Sequence, residues 1–518
     1  MRRTALAVLA LSLAVCLLAA VPALADVKLP AVLSSGMVLQ QNMNLPIWGW
    51  ADPGEVVTVA IGDQSASAVA NAVGDWKVLL GPFKAGGPVD VTVKGKNTVT
   101  LTDVLFGEVW VCSGQSNMQF NLRSAINSEQ EIADANYPQI RLFQVPNVTA
   151  ETPQRDVKAK WVACSPQTVP GFTAVGYFFG RHLHKALKVP VGLIGTSWGG
   201  TPSEAWTSVP AMQIEPDLQP LFDRWANNIA TYPANMERYN NEVLPKWRAD
   251  VEKAKAAGKE PPRQPTGPLG PASQHRPGNL YNGMIAPIVP FGIQGAIWYQ
   301  GESNAGRAYQ YRRLMPMLIS DWRNNWQEGD FTFLMVQLAN YMARKDNPGD
   351  SAWAELREAQ SMTTTLLPKV GQAVIIDIGD AGNIHPTNKQ DVGKRLGLQA
   401  QKITYGQDIP YSGPVYKSMS VEGNKIRLKF DCIFGGLASQ DGQPLKGFSI
   451  AGGDRKFVWA NARIDGDTVV VSSDQVAAPV AVRYAWADNP ECNLSNSTAI
   501  PASPFRTDEW PGITINSR

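Results

Sequence analysis

Gly107-Glu-Val-Trp-Val-Cys-Ser-Gly-Gln-Ser-Asn-Met118 is the stretch on which the fold turns. Val109 to Cys112 is a continuous apolar run, as expected of a strand buried on both faces of a parallel sheet. Ser113 and Gly114 break the run, and Ser116-Asn117 stand where a helix can begin, with Met118, Phe120 and Leu122 following. A serine at such a strand-to-helix turn is carried to the C-terminal edge of the sheet. There the unpaired N–H groups and positive dipole end of the helix can stabilise a developing oxyanion. Taken alone, Gly-x-Ser-Asn is also an ordinary helix cap. Met118 moreover replaces the second glycine of the Gly-x-Ser-x-Gly nucleophile elbow. A nucleophile at Ser116 therefore requires a base and further oxyanion donors from elsewhere in the chain.

Outward from this stretch, residues 104–405 alternate strand and helix. Buried-type strands are expected at Val109–Cys112, Val191–Ser197, Gly295–Tyr299, Phe331–Leu338 and Ala373–Ile378. Val175, Phe178, Phe179, Leu183, Ala186 and Leu187 form one helical apolar face, and Tyr311, Leu314, Met315, Leu318, Ile319 and Trp322 form another, with a kink expected at Pro316. This pattern predicts an α/β fold with a doubly wound parallel sheet, which binds ligands beyond the carboxyl ends of its strands. Residues 209–278 interrupt it with a polar insertion whose proline-dense end, 258–278, cannot be regular structure; it is read as lying over the upper rim of the sheet. On either side, residues 26–103 and 406–518 show short alternating strands between turn signals, and an N-terminal and a C-terminal β-sandwich are expected. Asp465-Gly466 marks a hairpin turn in the latter.

At 518 residues the chain is too long for one core. Its net charge of +2 and lack of any Lys/Arg run give no electrostatic footprint for nucleic acid. Residues 1–25 read as a signal peptide: Met1-Arg-Arg, an apolar segment from Ala5 to Val21, then the small-x-small pattern Ala23-Leu24-Ala25. No later segment is long and apolar enough to span a bilayer, so the expectation is an exported protein, periplasmic or extracellular, with no membrane contact after cleavage. Cys112, Cys164, Cys432 and Cys492 would then meet an oxidising compartment; the pairs Cys112–Cys164 and Cys432–Cys492 are favoured because each lies within one expected domain, with four buried free thiols as the equal alternative. No Cys-x-x-Cys spacing suggests a structural zinc site. The 16 Trp residues are core material for the most part, although an indole face also suits a sugar ring.

Only four histidines are present, so the base can be sought by elimination. His182 and His184 are two apart on a predicted helix, about 200° around it, and cannot share a metal. His275 lies in the irregular insertion, a poor place for a general base. His385 follows a buried strand in Asp377-Ile-Gly-Asp-Ala-Gly-Asn-Ile-His-Pro386, and its loop leaves the same sheet edge as Ser116. Two further loops end strands there. Ile194-Gly-Thr-Ser-Trp-Gly-Gly-Thr201 can present a backbone N–H at Gly199 or Gly200, and Trp298-Tyr-Gln-Gly-Glu-Ser-Asn304 carries the Gln300 amide with Glu302 close by. With the Ser116 N–H these would make a three-donor oxyanion hole, each donor worth roughly 3–4 kcal/mol of transition-state stabilisation.

Gly-Gln-Ser-Asn-Met, Gly-Thr-Ser-Trp-Gly-Gly-Thr, Trp-Tyr-Gln-Gly-Glu-Ser-Asn and Ile-His-Pro, in this order, resemble the sequence blocks of the SGNH hydrolase superfamily, and more narrowly those of the sialate O-acetylesterase family and its carbohydrate acetylesterase relatives. Leu280-Tyr-Asn-Gly-Met-Ile-Ala-Pro287 and Ser503-Pro-Phe-Arg-Thr-Asp508 extend the likeness, which covers nearly all of the expected mature chain. The resemblance implies Ser116 as nucleophile, His385 as base, and the Ser116 N–H, Gly199 (or Gly200) and Gln300 as oxyanion donors. Two departures stand out. Gln300 occupies the place of an asparagine in many SGNH enzymes, as in similar sugar acetylesterases. The orienting aspartate expected three residues before the histidine is Gly382 here, leaving Asp380 or a backbone carbonyl to hold the imidazole.

The expected chemistry is removal of an acetyl group from a sugar hydroxyl of an acetylated glycan, by acyl transfer through Ser116, with no metal or organic cofactor. Trp198, Trp206, Tyr299 and Tyr281 are candidate sugar-side surfaces. Two rival readings are a glycoside hydrolase using Glu302 and Asp380, and a non-catalytic secreted glycan-binding protein. Nothing in the sequence sets the oligomeric state or the identity of the acetylated sugar.

Overall fold

The computed structural model describes residues 26–518; the expected signal peptide lies outside them. The centre is one sheet built from Thr98–Gly114 (β1), Tyr137–Gln144 (β2), Trp161–Cys164 (β3), Val191–Ser197 (β4), Gly295–Tyr299 (β5), Thr332–Val336 (β6) and Val370–Ala373 (β7). Its spatial order is β7-β6-β5-β1-β4-β2-β3. All neighbours are parallel except β3, which runs antiparallel to β2 at the edge.

The apolar runs are continuous because both faces of this sheet are covered. Along β1, Val109 and Val111 point into one core, Trp110 and Cys112 into the other. The second face packs against the helices Ala174–Leu187 and Lys389–Ile403 through Val175, Phe179, Leu183, Val392 and Leu396. The first packs against Ala308–Trp326 and Ala352–Leu366 through Tyr311, Met315, Leu318, Trp322 and Leu356. The helix Ala308–Trp326 continues through Pro316. On this face Trp206, Trp298 and Trp322 meet edge-on, with centroids 6.2 and 6.0 Å apart. Burying side chains of this size contributes about 3 kcal/mol each, which accounts for much of the indole content.

β1 runs unbroken through the expected boundary at 103–104. Its first half pairs with Gly86–Lys94 and Val38–Gln40, and its second half is the middle of the parallel sheet. The N-terminal strands and the central sheet therefore share a strand. Toward the C-terminus, two four-stranded antiparallel sheets enclose a separate core of Ile426, Leu428, Val469 and Val471 facing Phe448, Ile450, Val482 and Tyr484. This part is tied to the centre by the buried Arg357, which donates to the carbonyls of Ala487 and Asp488.

Two expectations need correction. The last strand is Val370–Ala373 rather than Ala373–Ile378: Val374, Ile375 and Ile376 are buried but leave the ladder. The insertion is irregular over its proline-dense end, as expected, and carries helices Gln219–Arg238 and Leu244–Ala256 before it. The four cysteines among the described residues are free thiols, the alternative to the favoured pairs. Cys112 and Cys164 sit on β1 and β3, with β4 and β2 between them. Three strand spacings make roughly 14 Å, twice what a disulfide spans. Cys432 instead lies 3.6 Å from the Tyr411 hydroxyl. Among the described residues no helix is long and apolar enough to cross a membrane.

Candidate active site

Ser113 and Gly114 end β1, and Gly114 is needed there. Its φ is +139°, and a Cβ would lie 2.2 Å from the Tyr299 carbonyl oxygen on β5. The chain turns at once into the short helix Ser116–Gln119. Being first in that helix, the Ser116 N–H has no acceptor among the described residues. From the far side of the sheet the loop after β7 brings in His385, whose Nε2 lies 2.8 Å from Ser116 Oγ. Two residues 269 positions apart thus meet over one rim. They open onto a cleft of about 580 Å³ lined also by Gln119, Phe120, Gln144 and Asn147.

The His385 loop is held by its own turns and by bonds from distant segments. Asn383 Oδ1 accepts from the His385 N–H at 2.9 Å, and Asn340 Oδ1 accepts from the Gly379 N–H at 2.7 Å. Asn117, the residue after the serine, donates from Nδ2 to the Ile384 carbonyl at 3.0 Å and to Glu302 Oε1 at 2.6 Å. Its Oδ1 accepts from the Lys389 ammonium at 2.6 Å. One amide therefore joins the nucleophile turn to the residue preceding the histidine.

Lys389 opens a helix, where the macrodipole disfavours a cation. Its Nζ lies 4.9 Å and 5.1 Å from the ring centroids of Phe120 and Tyr299. Burial pushes its ammonium down to about 7, against the pull of Glu302. Burial likewise pushes the Glu302 carboxyl up, opposed by its hydrogen bonds and by Lys389. The His385 imidazole is lowered, first by burial and then by the Lys389 charge.

Several expected roles do not match their surroundings. Asp380 Oδ1 accepts from the Gly382 N–H at 2.8 Å and does not reach His385; among the described residues no carboxylate bonds the imidazole. Gln300 is fully buried beneath the rim. Its Nε2 donates to Asn304 Oδ1 at 2.6 Å and the Thr201 carbonyl at 3.2 Å, and its Oε1 accepts from the Tyr311 hydroxyl at 3.0 Å. A buried amide satisfied at both ends has no donor to spare. Gly199 packs against the serine, where a Cβ would stand 3.3 Å from the Ser116 Cβ, but its N–H donates to Gln119 Oε1 at 2.8 Å. Tyr299, Tyr281 and Trp206 are core residues, since strand alternation and the packing of the 281–288 turn place their rings inside; Trp198 is half-buried. His182 and His184 are part-buried, bonding Gln401 Oε1 at 2.6 Å and the Val189 carbonyl at 2.8 Å.

Asn117, Gln119 and Lys389 escape sequence reading as site residues. Adjacency to the serine was a signal for the first two. For Lys389 the only signal was a lysine at a helix start.

The chain was compared with known proteins. A family described as carbohydrate esterase, sialic acid-specific acetylesterase, matches residues 272–401, the span holding Gln300, Glu302 and His385. The chain is 31% identical over 532 residues to the sialate O-acetylesterase of Mus musculus, covering 90% of this chain and 92% of that one. The Homo sapiens sialate O-acetylesterase is 30% identical over 542 residues, covering 94% of each. A solved carbohydrate acetylesterase from Xanthomonas citri is similar with a TM-score of 0.79 and 40% identity, over 94% of this chain and 100% of that chain.

Proposed function

The chain belongs to the sialate O-acetylesterase family, and from that premise we propose that it removes O-acetyl groups from carbohydrates through an acetyl-enzyme on Ser116. The observation that carries this reading is the 2.8 Å contact between Ser116 Oγ and His385 Nε2 at the carboxyl end of the sheet. We read the doubly wound sheet, with its nucleophile after the central strand and its base after the last, as an SGNH-type arrangement. His385 takes the Ser116 proton while Oγ attacks the acetyl carbon. The oxyanion accepts from the Ser116 N–H and from the Gly199 N–H. Gln119 Oε1 occupies the Gly199 donor in the free protein, standing in for the acyl oxygen that displaces it. The protonated imidazole then returns its proton to the departing sugar oxygen. Water, deprotonated by His385, releases acetate.

This is a dyad in which backbone and amide bonds, rather than a carboxylate, orient the base. The rival pair of carboxylates is poorly served: Glu302 is tied to Asn117, and Asp380 to its own turn. The direct test is acetate release from a panel of acetylated sialic acids and xylo-oligosaccharides by the wild type and Ser116→Ala in parallel. We further propose that the protein acts in the periplasm or medium. Its mature chain is then expected to begin at Asp26, and N-terminal sequencing of the exported protein showing residues 1–25 retained would remove that reading.

Two further outcomes follow from the geometry. Asn117→Ala removes the bond to the Ile384 carbonyl and lets the base drift. A misplacement of about 1 Å lowers kcat roughly 100-fold, with KM little changed; equal losses in kcat and thermal stability would instead mark Asn117 as structural. The pH profile also has a defined sign. The base works as neutral imidazole, and burial with the Lys389 charge lowers its pKa. The active form therefore persists below the ordinary histidine value of about 6.5, so the acid limb of kcat/KM lies below it. Lys389→Met should move that limb upward.

A further inference from the structure

A second cleft, of about 330 Å³, starts at Gly200, within the loop expected to supply an oxyanion donor. It is lined by Gly200, Arg224, Trp225, His275 and Ser303, together with the Glu204–Arg307 pair. Gly200 follows Gly199, at which a methyl group would stand 3.3 Å from the Ser116 Cβ. Arg224 and Trp225 come from the insertion helix Gln219–Arg238, and His275 from the irregular segment that follows it. The insertion thus forms one wall of a cleft joined to the Ser116 site through the Gly199-Gly200 loop.

The charges in this cleft do not balance. Glu204 is buried, and both its oxygens are taken: Oε1 by Arg307 Nη2 at 2.6 Å and Oε2 by Asn304 Nδ2 at 2.9 Å. Arg224 Nη2 stays 3.9 Å from Glu204, beyond a hydrogen bond. Its Nη1 is buried with no hydrogen-bond partner. Two guanidiniums thus face one carboxylate, leaving the positive charge of Arg224 unmatched on the wall of the cleft. His275 adds no charge at neutral pH, because burial lowers its pKa. Trp225, Leu221 and Leu269 supply apolar walls.

We propose that Arg224 binds the carboxylate of an acidic sugar whose O-acetyl group lies at Ser116. This rests on the acetylesterase reading and names its substrate class. A carboxylate can accept from a guanidinium fork through two parallel bonds, which a hydroxyl or a methyl ester cannot reproduce. It would offset the unbalanced charge. Burial and the repulsion of Arg307 hold the Arg224 guanidinium below its usual range, as expected of a cation whose counter-ion comes with the ligand. A neutral sugar would leave that charge unmatched, the condition under which a polar site discriminates best.

The carboxylate can come from a sialic acid or from a uronic acid. The test therefore uses two pairs: O-acetylated N-acetylneuraminic acid and its methyl ester, and O-acetylated galacturonic acid and its methyl ester. The wild type is expected to favour the free acid of at least one pair by about 10- to 100-fold in kcat/KM, chiefly through KM. Arg224→Gln should bring that ratio near one, and Arg224→Lys should keep part of it. Because the ratio compares two substrates on one protein, a loss of folded enzyme cancels. Equal hydrolysis of acid and ester by the wild type, or an unchanged ratio in Arg224→Gln, overturns the inference while the esterase reading stands. Failure to hydrolyse any of the four while acetylated xylo-oligosaccharides are cleaved also overturns the inference alone; no hydrolysis of either set, or full activity in Ser116→Ala, overturns both.

Discussion

Ser116→Ala is expected to lower kcat for acetate release from O-acetylated sugars by roughly 10⁶-fold, the scale on which a serine hydrolase depends on its nucleophile. That loss corresponds to about 8 kcal/mol of activation free energy. No other group stands in for the missing oxygen, since the alternative near His385 is water, which lacks the positioning of a covalently held hydroxyl. The fold should survive. Ser116 is half-buried, its hydroxyl makes one side-chain hydrogen bond, and losing such a bond costs about 1 kcal/mol. Kinetics on the panel of acetylated sugars, with a thermal melt as control, makes the measurement. A variant keeping more than about a hundredth of the wild-type rate would refute the acetyl-enzyme and return attention to Glu302 and Asp380. A wild type without hydrolysis, whose glycan binding survives the substitution, would instead match the binding-protein reading.

His385→Ala should cost nearly as much, and the double variant Ser116→Ala/His385→Ala should be no worse than either single one. The two side chains act through a single 2.8 Å contact, so removing either end abolishes the same proton transfer. Such losses do not add. Residual activity in all three variants then reports what binding and the backbone donors achieve without a nucleophile. Asp380→Asn provides the contrast. Its carboxylate oxygen caps the Gly382 N–H, a role an asparagine oxygen also fills, so the rate should stay near that of the wild type. A loss comparable to that of His385→Ala would show that the aspartate reaches the imidazole during turnover.

The legibility of the fold followed how local each constraint was. β4 and β5 match their expected limits, Val191–Ser197 and Gly295–Tyr299, because strands buried on both faces read as unbroken apolar runs bounded by glycine-rich turns. The last strand was displaced because apolar character reports burial and says nothing of pairing. Val374 to Ile376 are inside, yet they already belong to the loop that delivers His385. The disulfide expectation failed on strand order: Cys112 and Cys164 belong to one sheet, but β4 and β2 come between them. The aromatic residues expected beside the sugar went into the cores for a similar reason. Tyr299 ends a strand at the rim, and the alternation of that strand turns its ring to the buried face.

Ser116 and His385 could be picked from the sequence because chemistry restricts the choice: few residue types make a nucleophile or a base, and this chain has only four histidines. The turn glycines and the apolar strand before the serine are local features, written in consecutive residues. The partners of polar side chains are not. Gln300 lost its expected role to Asn304, Thr201 and Tyr311, and the Gly199 N–H is engaged by Gln119. The histidine found its support in Asn117 instead of Asp380. Buried amides, carboxylates and guanidiniums take whichever partner the packing brings within about 3 Å. Local sequence was enough to single out Ser116 and His385, which meet at 2.8 Å, and to outline the sheet, whereas the donors around that pair, and the unbalanced charge at Arg224, depended on which distant segments came to rest against it.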